Sequence, residues 1–305
     1  MDNIRSPFFY VGDKYKLMPQ LKKYFPEKII NYIEPFVGGG SSFLNVEAEN
    51  YYLNDLNNWI IKLHEFFFSQ TKDKDLFLKC IFDEIANYDL SCSFQGTDIP
   101  KELKKEFPKT YYAKFNKDSY NLLKKDFNED KTNLLKLYLL LIYGFNHMIR
   151  FNKKGEFNLP VGDVDFNKNV YKSICDYLAV CENKHINLYS NDFIYFLNNL
   201  NIPSEGAYIY FDPPYLISSS EYNKYWNEVD EIKLYNYIDK LDEEGFKFGL
   251  TNLVRHKGME NSILTNWSKK YKVYNIDSNY ISFNDNTIKK DSKEVFVTNY
   301  GSSEI

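Results

Sequence analysis

Residues 32–41 read Tyr-Ile-Glu-Pro-Phe-Val-Gly-Gly-Gly-Ser, and this stretch decides how the rest of the chain is interpreted. Apolar residues before it predict a strand over Ile29–Ile33, and the apolar spacing after Ser41 predicts a helix. Glycines between a strand and a helix permit positive φ angles and a close approach of the backbone to a ligand. The free N–H groups at the start of the expected helix also favour ligand binding at this loop. The stretch therefore indicates a loop for a nucleotide-like ligand.

Asp55 follows the next predicted strand, Tyr51–Asn54. An acid near a roughly 20-residue spacing from such a loop accepts hydrogen bonds from a ribose in doubly wound folds. The loop is not a P-loop, because no Gly-Lys-Ser/Thr follows, and it does not match Gly-x-Gly-x-x-Gly either. A plain tight turn, with Asp55 as a helix cap, stays open as the alternative.

Short apolar runs bounded by turn residues continue along the chain and alternate with helical patterns. The helical patterns lie at 57–68, 192–200 and 230–243. This alternation predicts an α/β fold, a Rossmann-like, mainly parallel sheet with helices on both faces. The further candidate strands are Ile186–Ser190, Ala207–Phe211, Phe246–Thr251, Lys272–Ile276 and Glu294–Thr298.

The alternation breaks between about residues 65 and 165, where Lys-rich helical patterns dominate. We interpret 65–165 as an inserted, mainly helical domain, with residues 1–64 and 166–305 forming the α/β domain. Near the end of the insertion, Arg150–Asn158 predicts a β-hairpin whose turn is Lys153-Lys154-Gly155.

Residues 208–215, Tyr-Ile-Tyr-Phe-Asp-Pro-Pro-Tyr, join a buried-type strand to a rigid acidic turn. The prolines fix φ and remove two N–H donors, so Asp212 and the Pro213 carbonyl can both act as acceptors toward a ligand. Two acceptors beside the flat ring of Tyr215 suit an aryl amine, whose lone pair is otherwise conjugated into its ring. An ordinary strand-ending turn is the alternative. The position at the carboxyl end of a parallel strand, where open α/β sheets bind ligands, argues against it.

Composition restricts the remaining function classes. The net charge of -4 does not indicate a nucleic-acid-binding protein, so any contact with DNA depends on a local basic surface. Residues 101–125 are a candidate, although a solvated helical face explains their lysines equally well. The four cysteines and four histidines show no metal-ligand or nucleophilic pattern, so no metal is expected. The chain start lacks an apolar signal core, and 134–145 is too short to span a bilayer, so a cytoplasmic protein without membrane contact is expected.

Several separated motifs together resemble the Dam-like, alpha-group DNA adenine-N6 methyltransferases over nearly the whole chain. They are residues 7–14, 34–41, 54–55, 144–162, 191–193 and 212–215. Tyr10 and Asp13 depart from the Trp and second Gly that this family usually has in the first motif.

The resemblance implies S-adenosylmethionine as cofactor, with S-adenosylhomocysteine as product. Asp192 also fits a helix N-cap, which stays open. The implied cofactor-binding residues are Tyr10, Lys14, Glu34, Pro35, Phe36, Gly38, Gly39, Gly40, Ser41, Asp55, Asp192, Phe193 and Asp212.

The resemblance also implies that residues 144–162 are a DNA-recognition hairpin. Arg150 is a candidate base reader, because a guanidinium can bond a guanine edge in a bidentate manner, but a phosphate contact or an ion pair within the hairpin is equally open. The implied partner is double-stranded DNA, with a separately encoded restriction endonuclease as a possible second partner. The implied DNA contacts are Asn146, Arg150, Asn152, Lys153 and Lys154.

The expected reaction is direct methyl transfer to the N6 amine of an adenine flipped out of duplex DNA. The expected catalytic residues are Asp212, Pro213, Pro214 and Tyr215, with Thr251 and Asn252 lining the pocket. Methylation of cytosine N4, of RNA adenine or of a glutamine amide is the alternative chemistry, and an inactive DNA-binding relative is the alternative class. Asp rather than Asn at position 212, together with the hairpin, favours adenine in DNA as the substrate.

Overall fold

The computed structural model describes residues 3–97, 99–218, 226–277 and 292–301. Met1 and Asp2, at the start of the segment without an apolar signal core, lie outside these residues. The chain divides into two compact units. The helical unit comprises Met1–Tyr15, Gly38–Leu44 and Asn57–Lys184, and the sheet unit comprises Lys16–Val37, Asn45–Leu56 and His185–Ile305. This division groups residues 57–64 and 166–184 with the helices, so the domain boundaries at 64/65 and 165/166 stay a prediction.

The sheet unit is built on an eight-stranded sheet of the described residues, in the order β3-β2-β1-β4-β5-β8-β7, with β6 paired to β5. Neighbours from β3 to β5 are parallel, whereas β8 is antiparallel to both β5 and β7. The strands are β1 Asn31–Glu34, β2 Asn50–Asn54, β3 His185–Tyr189, β4 Ala207–Phe211, β5 Lys247–His256, β6 Met259–Glu260, β7 Lys272–Ile276 and β8 Lys293–Thr298.

The strand order reverses at β1, which lies between β2 and β4. The chain runs outward from β1 through β2 to β3, and then returns to β4 on the other side. Such a reversal opens a crevice beyond the carboxyl ends of the strands, which is where open α/β sheets bind ligands. Every residue of β4 is buried, as expected for a central parallel strand covered on both faces.

The helices of the sheet unit are α1 Met18–Leu21, α8 Phe193–Asn199, α9 Glu228–Glu243 and α10 Ser262–Trp267. Asp192 caps α8 by accepting hydrogen bonds from the N–H groups of Ile194 and Tyr195. Asn227 and Asp230 form a capping box at the start of α9. Leu234, Ile238 and Leu241 of α9 pack on the sheet in one core with β4, β5 and β8.

The helical unit contains α2 Asn58–Ser69, α3 Lys74–Asn87, α4 Lys101–Glu106, α5 Tyr111–Glu129, α6 Leu134–Tyr143 and α7 Lys168–Cys181. α6 is buried from Leu137 through Tyr143, which explains its continuous apolar sequence. The predicted helical character of 65–165 is confirmed. None of the helices in the described part of the chain combines the length and hydropathy needed to cross a membrane.

The Rossmann-like α/β prediction is confirmed, and all seven predicted strands form within a few residues of their predicted bounds. The short strand β6 was not predicted. The helix expected after Ser41 is wrong, because only a three-residue 3-10 turn forms at Phe43–Asn45. The chain has to reach β2 within a few residues, and the Tyr51 hydroxyl binds the loop instead, donating to the Val46 carbonyl and accepting from the Ala48 N–H.

Candidate active site

One buried asparagine ties three strand ends together at the carboxyl edge of the sheet. The Asn54 amide nitrogen donates to the Pro35 carbonyl after β1 and to the Asn191 carbonyl after β3, both at 3.0 Å. Its side-chain oxygen accepts from the Asn191 N–H at 2.9 Å, and its carbonyl accepts from the Val37 N–H at 2.8 Å. Asn54 is fully buried, so these hydrogen bonds satisfy polar groups that water cannot reach. The loops after β1, β2 and β3 are thereby fixed relative to one another.

Two of the expected cofactor-binding acids lie on these loops. Glu34 is buried and accepts a hydrogen bond from the Tyr32 hydroxyl at 3.2 Å. Asp55 follows β2 directly and is half-buried. The structure thus brings both carboxylates to the same edge of the sheet unit, as the sequence predicts, with Asp55 the more accessible.

Three aromatic rings lie at the same edge. The ring centroids of Phe36 and Phe193 are 5.4 Å apart, and Trp226 is 5.9 Å from Phe36 and 6.3 Å from Phe193. Phe36 and Trp226 are half-buried, so part of the group faces solvent. Aromatic faces stack on purines, and a nearby carboxylate can accept from ribose hydroxyls. The combination of aromatic rings and a carboxylate acceptor fits an adenosyl group. Trp226 was missed from the sequence, because a lone Trp before a helix carries no motif.

Trp226 is held by a buried carboxylate of α9. Its indole N–H donates to Glu231 at 2.6 Å, and the other Glu231 oxygen accepts from the amides of Asn252 at 3.0 Å and Asn261 at 2.8 Å, and from the Tyr235 hydroxyl. Glu231 is fully buried, and these donors make its burial tolerable. Asn252, expected to line the pocket, therefore braces α9 against β5.

The Asp212 carboxylate lies directly after β4 and is held by hydroxyl groups. Thr251 donates to its Oδ1 at 3.0 Å, and the Tyr215 hydroxyl lies 3.2 Å from the same oxygen. The Tyr210 hydroxyl is 3.0 Å from the Thr251 oxygen. Burial, with the charge of Asp212 nearby, raises the pKa of Tyr210 well above its usual value, so this hydroxyl keeps its proton and can donate. Tyr210, Thr251 and Asp212 thus form a relay of hydrogen bonds that orients the carboxylate.

Glu294 of β8 is a further residue of this site that the sequence did not reveal. Its Oε1 accepts from the Tyr215 hydroxyl at 2.6 Å, shorter than the bond from Tyr215 to Asp212. Glu294 is fully buried, and Tyr215 is 8% exposed, so the hydroxyl is anchored in the interior. The ring of Tyr215 packs in a small cluster with Ile217 and Leu253. These contacts fix the plane of the ring, while its stacking on a base stays a prediction.

The glycine loop Gly38–Gly40 belongs to the helical unit, where the N-terminal segment packs on it. A Cβ at Gly39 would lie 2.9 Å from Tyr10 Cβ, and a Cβ at Gly40, whose φ is +84°, would lie 2.9 Å from His64 Cε1. The Tyr10 hydroxyl accepts from the Asn57 amide at 3.2 Å. Gly39 and Gly40 therefore have no room for a larger residue, and Tyr10 lies against the loop, while its contact with cofactor stays a prediction.

Asp13 and Lys14 are both largely buried beside this loop. Burial raises the pKa of Asp13, while hydrogen bonds from the Ser41 side chain and the Tyr15 N–H oppose the rise. Lys14 donates to the Gly12 carbonyl at 3.0 Å. Asp13, which departs from the family's glycine, thus lies beside Ser41 of the glycine loop. Contact of Lys14 and Ser41 with cofactor stays a prediction.

The hairpin predicted over Arg150–Asn158 forms, with Phe151 bridged to Phe157. Asn152 shapes the turn rather than projecting from it, because its side-chain oxygen accepts from the N–H groups of Lys154 at 2.9 Å and Glu156 at 3.0 Å. Lys153 and Lys154 are exposed at the tip. A DNA contact of the tip lysines suits their exposure and remains predicted.

Arg150 and Asn146 precede the hairpin turn. Arg150 lies along the facing strand, its Nε donating to the Asn158 side chain at 3.0 Å and its Nη2 to the Asn158 carbonyl at 2.9 Å. Asn146 is exposed, with φ at 54° in the left-handed region, and His147 follows at 50°. Two successive non-glycine residues in this region are strained, as is common at functional sites.

The basic segment 101–125 occupies α4 and most of α5. Its eight lysines are exposed except Lys124, which is half-buried and lies 3.5 Å from the Leu159 carbonyl. An exposed row of lysines suits both a phosphate contact and a solvated surface. Among the described residues, no group of three or more His, Cys, Asp or Glu side chains is arranged to hold a metal ion.

The parallel sheet with its reversal at β1, and the polar and aromatic groups at its carboxyl edge, define a Rossmann-like protein of the methyltransferase type. The chain belongs to the D12 class N6 adenine-specific DNA methyltransferase family, whose sequence model matches residues 10–282.

The relatives include methylases of known systems. The chain is 30% identical over 97% of its length to the type II methyltransferase M.FokI of Planomicrobium okeanokoites. It is 32% identical over 97% of its length to the modification methylase StsI of Streptococcus sanguinis. The DNA adenine methylase of Escherichia coli (strain K12) is 27% identical over 73% of the chain, and the match covers 69% of that protein. The chain spans 43% of the length of each of the first two relatives.

Proposed function

We propose that this chain methylates the N6 amine of adenine at a specific site in double-stranded DNA, with S-adenosylmethionine as methyl donor. The observation that carries the proposal is the Asp212 carboxylate, oriented by the Thr251 hydroxyl at the carboxyl end of β4 beside the reversal of the sheet. Membership of the D12 class family supports the same substrate and reaction.

The chain's own groups supply what such a reaction needs around the amine. The Asp212 carboxylate and the Pro213 carbonyl accept the two amine hydrogens, which favours a tetrahedral nitrogen. The negative charge of Asp212 stabilises the positive charge that develops on that nitrogen. Because the Thr251 hydroxyl holds the carboxylate before substrate arrives, little reorganisation is needed when the charge forms.

Several of the chain's own residues would hold the cofactor. S-adenosylmethionine supplies an electrophilic methyl group on a sulfonium. In the sheet unit, Asp55 would accept from the ribose hydroxyls, and Phe36, Phe193 and Trp226 would pack on the adenine. Asp192 is engaged as the cap of α8, so its direct contact is the weaker part of this assignment. In the helical unit, the glycine loop and Tyr10 are also proposed to contact the cofactor.

The proposed partner is duplex DNA in the cytoplasm, approached by Asn146, Arg150 and the lysines of the hairpin tip. A separately encoded endonuclease that cleaves the same site is the proposed second partner, as in restriction–modification systems. DNA methylated by the chain would resist such an enzyme.

Methylome sequencing tests the proposal. The chain is expressed in cells that lack adenine methylation, with Asp212→Ala as the inactive form and Asp83→Ala, an exposed change on α3, as the matched control. The expected result is N6-methyladenine at one defined motif for the wild type and the control, and none for Asp212→Ala. Methylated cytosine N4, or no modified base, would overturn the proposal.

A further inference from the structure

His64 on α2 is a buried histidine that the proposed reaction does not use. It is fully buried, and both of its ring nitrogens have partners. Its Nε2 lies 2.9 Å from the carbonyl oxygen of Gly38 in the glycine loop, and its Nδ1 lies 2.7 Å from the Tyr177 hydroxyl of α7. The imidazole thus joins two helices to the glycine loop through hydrogen bonds.

These partners determine the tautomer of the ring. A carbonyl oxygen can only accept, so Nε2 must carry a hydrogen. Burial lowers the pKa of His64 to about 4, so the ring is neutral at physiological pH and Nδ1 accepts. Burial raises the pKa of Tyr177 well above its usual value, so its hydroxyl keeps the proton that it donates to Nδ1. All three groups are satisfied by this one arrangement.

The bond to the Gly38 carbonyl also sets the direction of the next N–H group. In a trans peptide unit the carbonyl and the following N–H point to opposite sides of the chain. Because the Gly38 carbonyl points to the buried His64 ring, the Gly39 N–H points away from it. Gly39 itself packs on Tyr10, whose Cβ would lie 2.9 Å from a Cβ at that position.

We propose that His64 is a positioning residue of the cofactor site: through the Gly38 carbonyl it holds the glycine loop so that the Gly39 N–H faces an acceptor group of the adenosyl cofactor. Tyr177 supports the same tautomer by donating to Nδ1. This inference rests on the proposed function, since the ligand is the cofactor of that reaction. His64 acts through the loop and touches no reacting atom.

Calorimetric titration with S-adenosylhomocysteine tests the proposal on the full chain. His64→Phe keeps a ring in the cavity and removes both hydrogen bonds, and the affinity should fall about tenfold. His64→Gln places an amide N–H at a similar reach and should recover most of the affinity. Tyr177→Phe should have a smaller effect, and none when added to His64→Phe. His185→Gln, an exposed histidine at the start of β3, is the matched control and should bind like wild type.

The ¹⁵N spectrum of the histidine rings supplies a readout that packing alone would not change. His64 in the wild type should show a protonated Nε2 and an unprotonated, hydrogen-bonded Nδ1, and Tyr177→Phe should keep the Nε2–H tautomer while the Nδ1 signal shifts to that of a nitrogen without a donor. Wild-type affinity in His64→Phe, or an Nδ1–H tautomer in the wild type, would overturn the inference. If the wild type itself does not bind S-adenosylhomocysteine, the proposed function fails instead, so the two failures are distinguishable.

Discussion

The predicted catalytic loop at 212–215 and the predicted DNA-recognition segment at 144–162 differ in how exposed their functional side chains are. Distant side chains anchor the first, with Thr251 on Asp212 and Glu294 on Tyr215. The second is also anchored from outside, because the Asn128 side chain of α5 bonds the N–H and the carbonyl of Phe157. Its tip lysines are nevertheless exposed, whereas Tyr215 is buried. Chemistry at one fixed atom requires a pre-organised carboxylate. Reading a DNA sequence instead requires side chains that remain accessible.

Asp212→Ala should have the largest effect, because it removes the acceptor that the surrounding hydroxyl groups orient. The methyl-transfer rate should fall by about 10²–10³ or more, as for loss of a preorganised polar group at a reacting centre. Affinity for S-adenosylhomocysteine, measured by calorimetry, should change little. A rate within a few-fold of wild type would refute the role of Asp212.

Arg150→Ala tests the recognition segment and should have the next largest effect. Loss of a base-reading guanidinium should cost about 1–3 kcal/mol of DNA discrimination and relax the methylated motif at one position. S-adenosylhomocysteine binding should be unchanged. If the affinity for DNA falls equally for all sequences and depends less on salt concentration, Arg150 contacts phosphate instead. Another residue of the segment then contacts the bases.

Glu294→Gln weakens the hydrogen bond that anchors Tyr215 of the catalytic loop, while a side chain of nearly the same size stays in place. A neutral amide accepts more weakly from the Tyr215 hydroxyl than a carboxylate, so kcat should fall about tenfold. The KM for cofactor should stay near wild type. Glu205→Gln, an exposed change in the same unit, is the control. Combining Glu294→Gln with Tyr215→Phe should add little, and full additivity would show that Glu294 does not act through Tyr215.

Gly155→Ala should have the smallest effect. Gly155 has a φ of +73°, with open space where a Cβ would be added, so only backbone strain of about 1 kcal/mol is expected. A urea titration should show this modest loss of stability, with the methyl-transfer rate at 25 °C preserved. A large loss of activity would mean that the hairpin tip does more than present its side chains.

Local patterns made most of the fold predictable. Alternating apolar runs located the strands, and Asn57 and Asp192 marked the starts of α2 and α8. The helix expected after Ser41 fails because spacing alone does not reveal that Tyr51 binds the loop between β1 and β2. The position of the acidic turn at the carboxyl end of β4 was also readable, since a parallel sheet brings these ends to one edge.

The residues that orient the groups of the site could not be predicted from the sequence. Glu294 meets Tyr215 across 79 residues of sequence, and only the antiparallel insertion of β8 beside β5 brings them together. His64 looked like an ordinary histidine on a helix, and its bond to Gly38 depends on how α2 packs. Motifs identify groups that touch ligands, whereas the partners that orient those groups come from tertiary packing.

The most direct test of the account is the identity of the methylated nucleoside. The purified chain is incubated with duplex DNA and S-adenosylmethionine carrying a labelled methyl group, and the DNA is digested for mass spectrometry. The account predicts label in N6-methyl-2′-deoxyadenosine for the wild type and its absence for Asp212→Ala. Label in N4-methylcytosine, or equal label with Asp212→Ala, would contradict it.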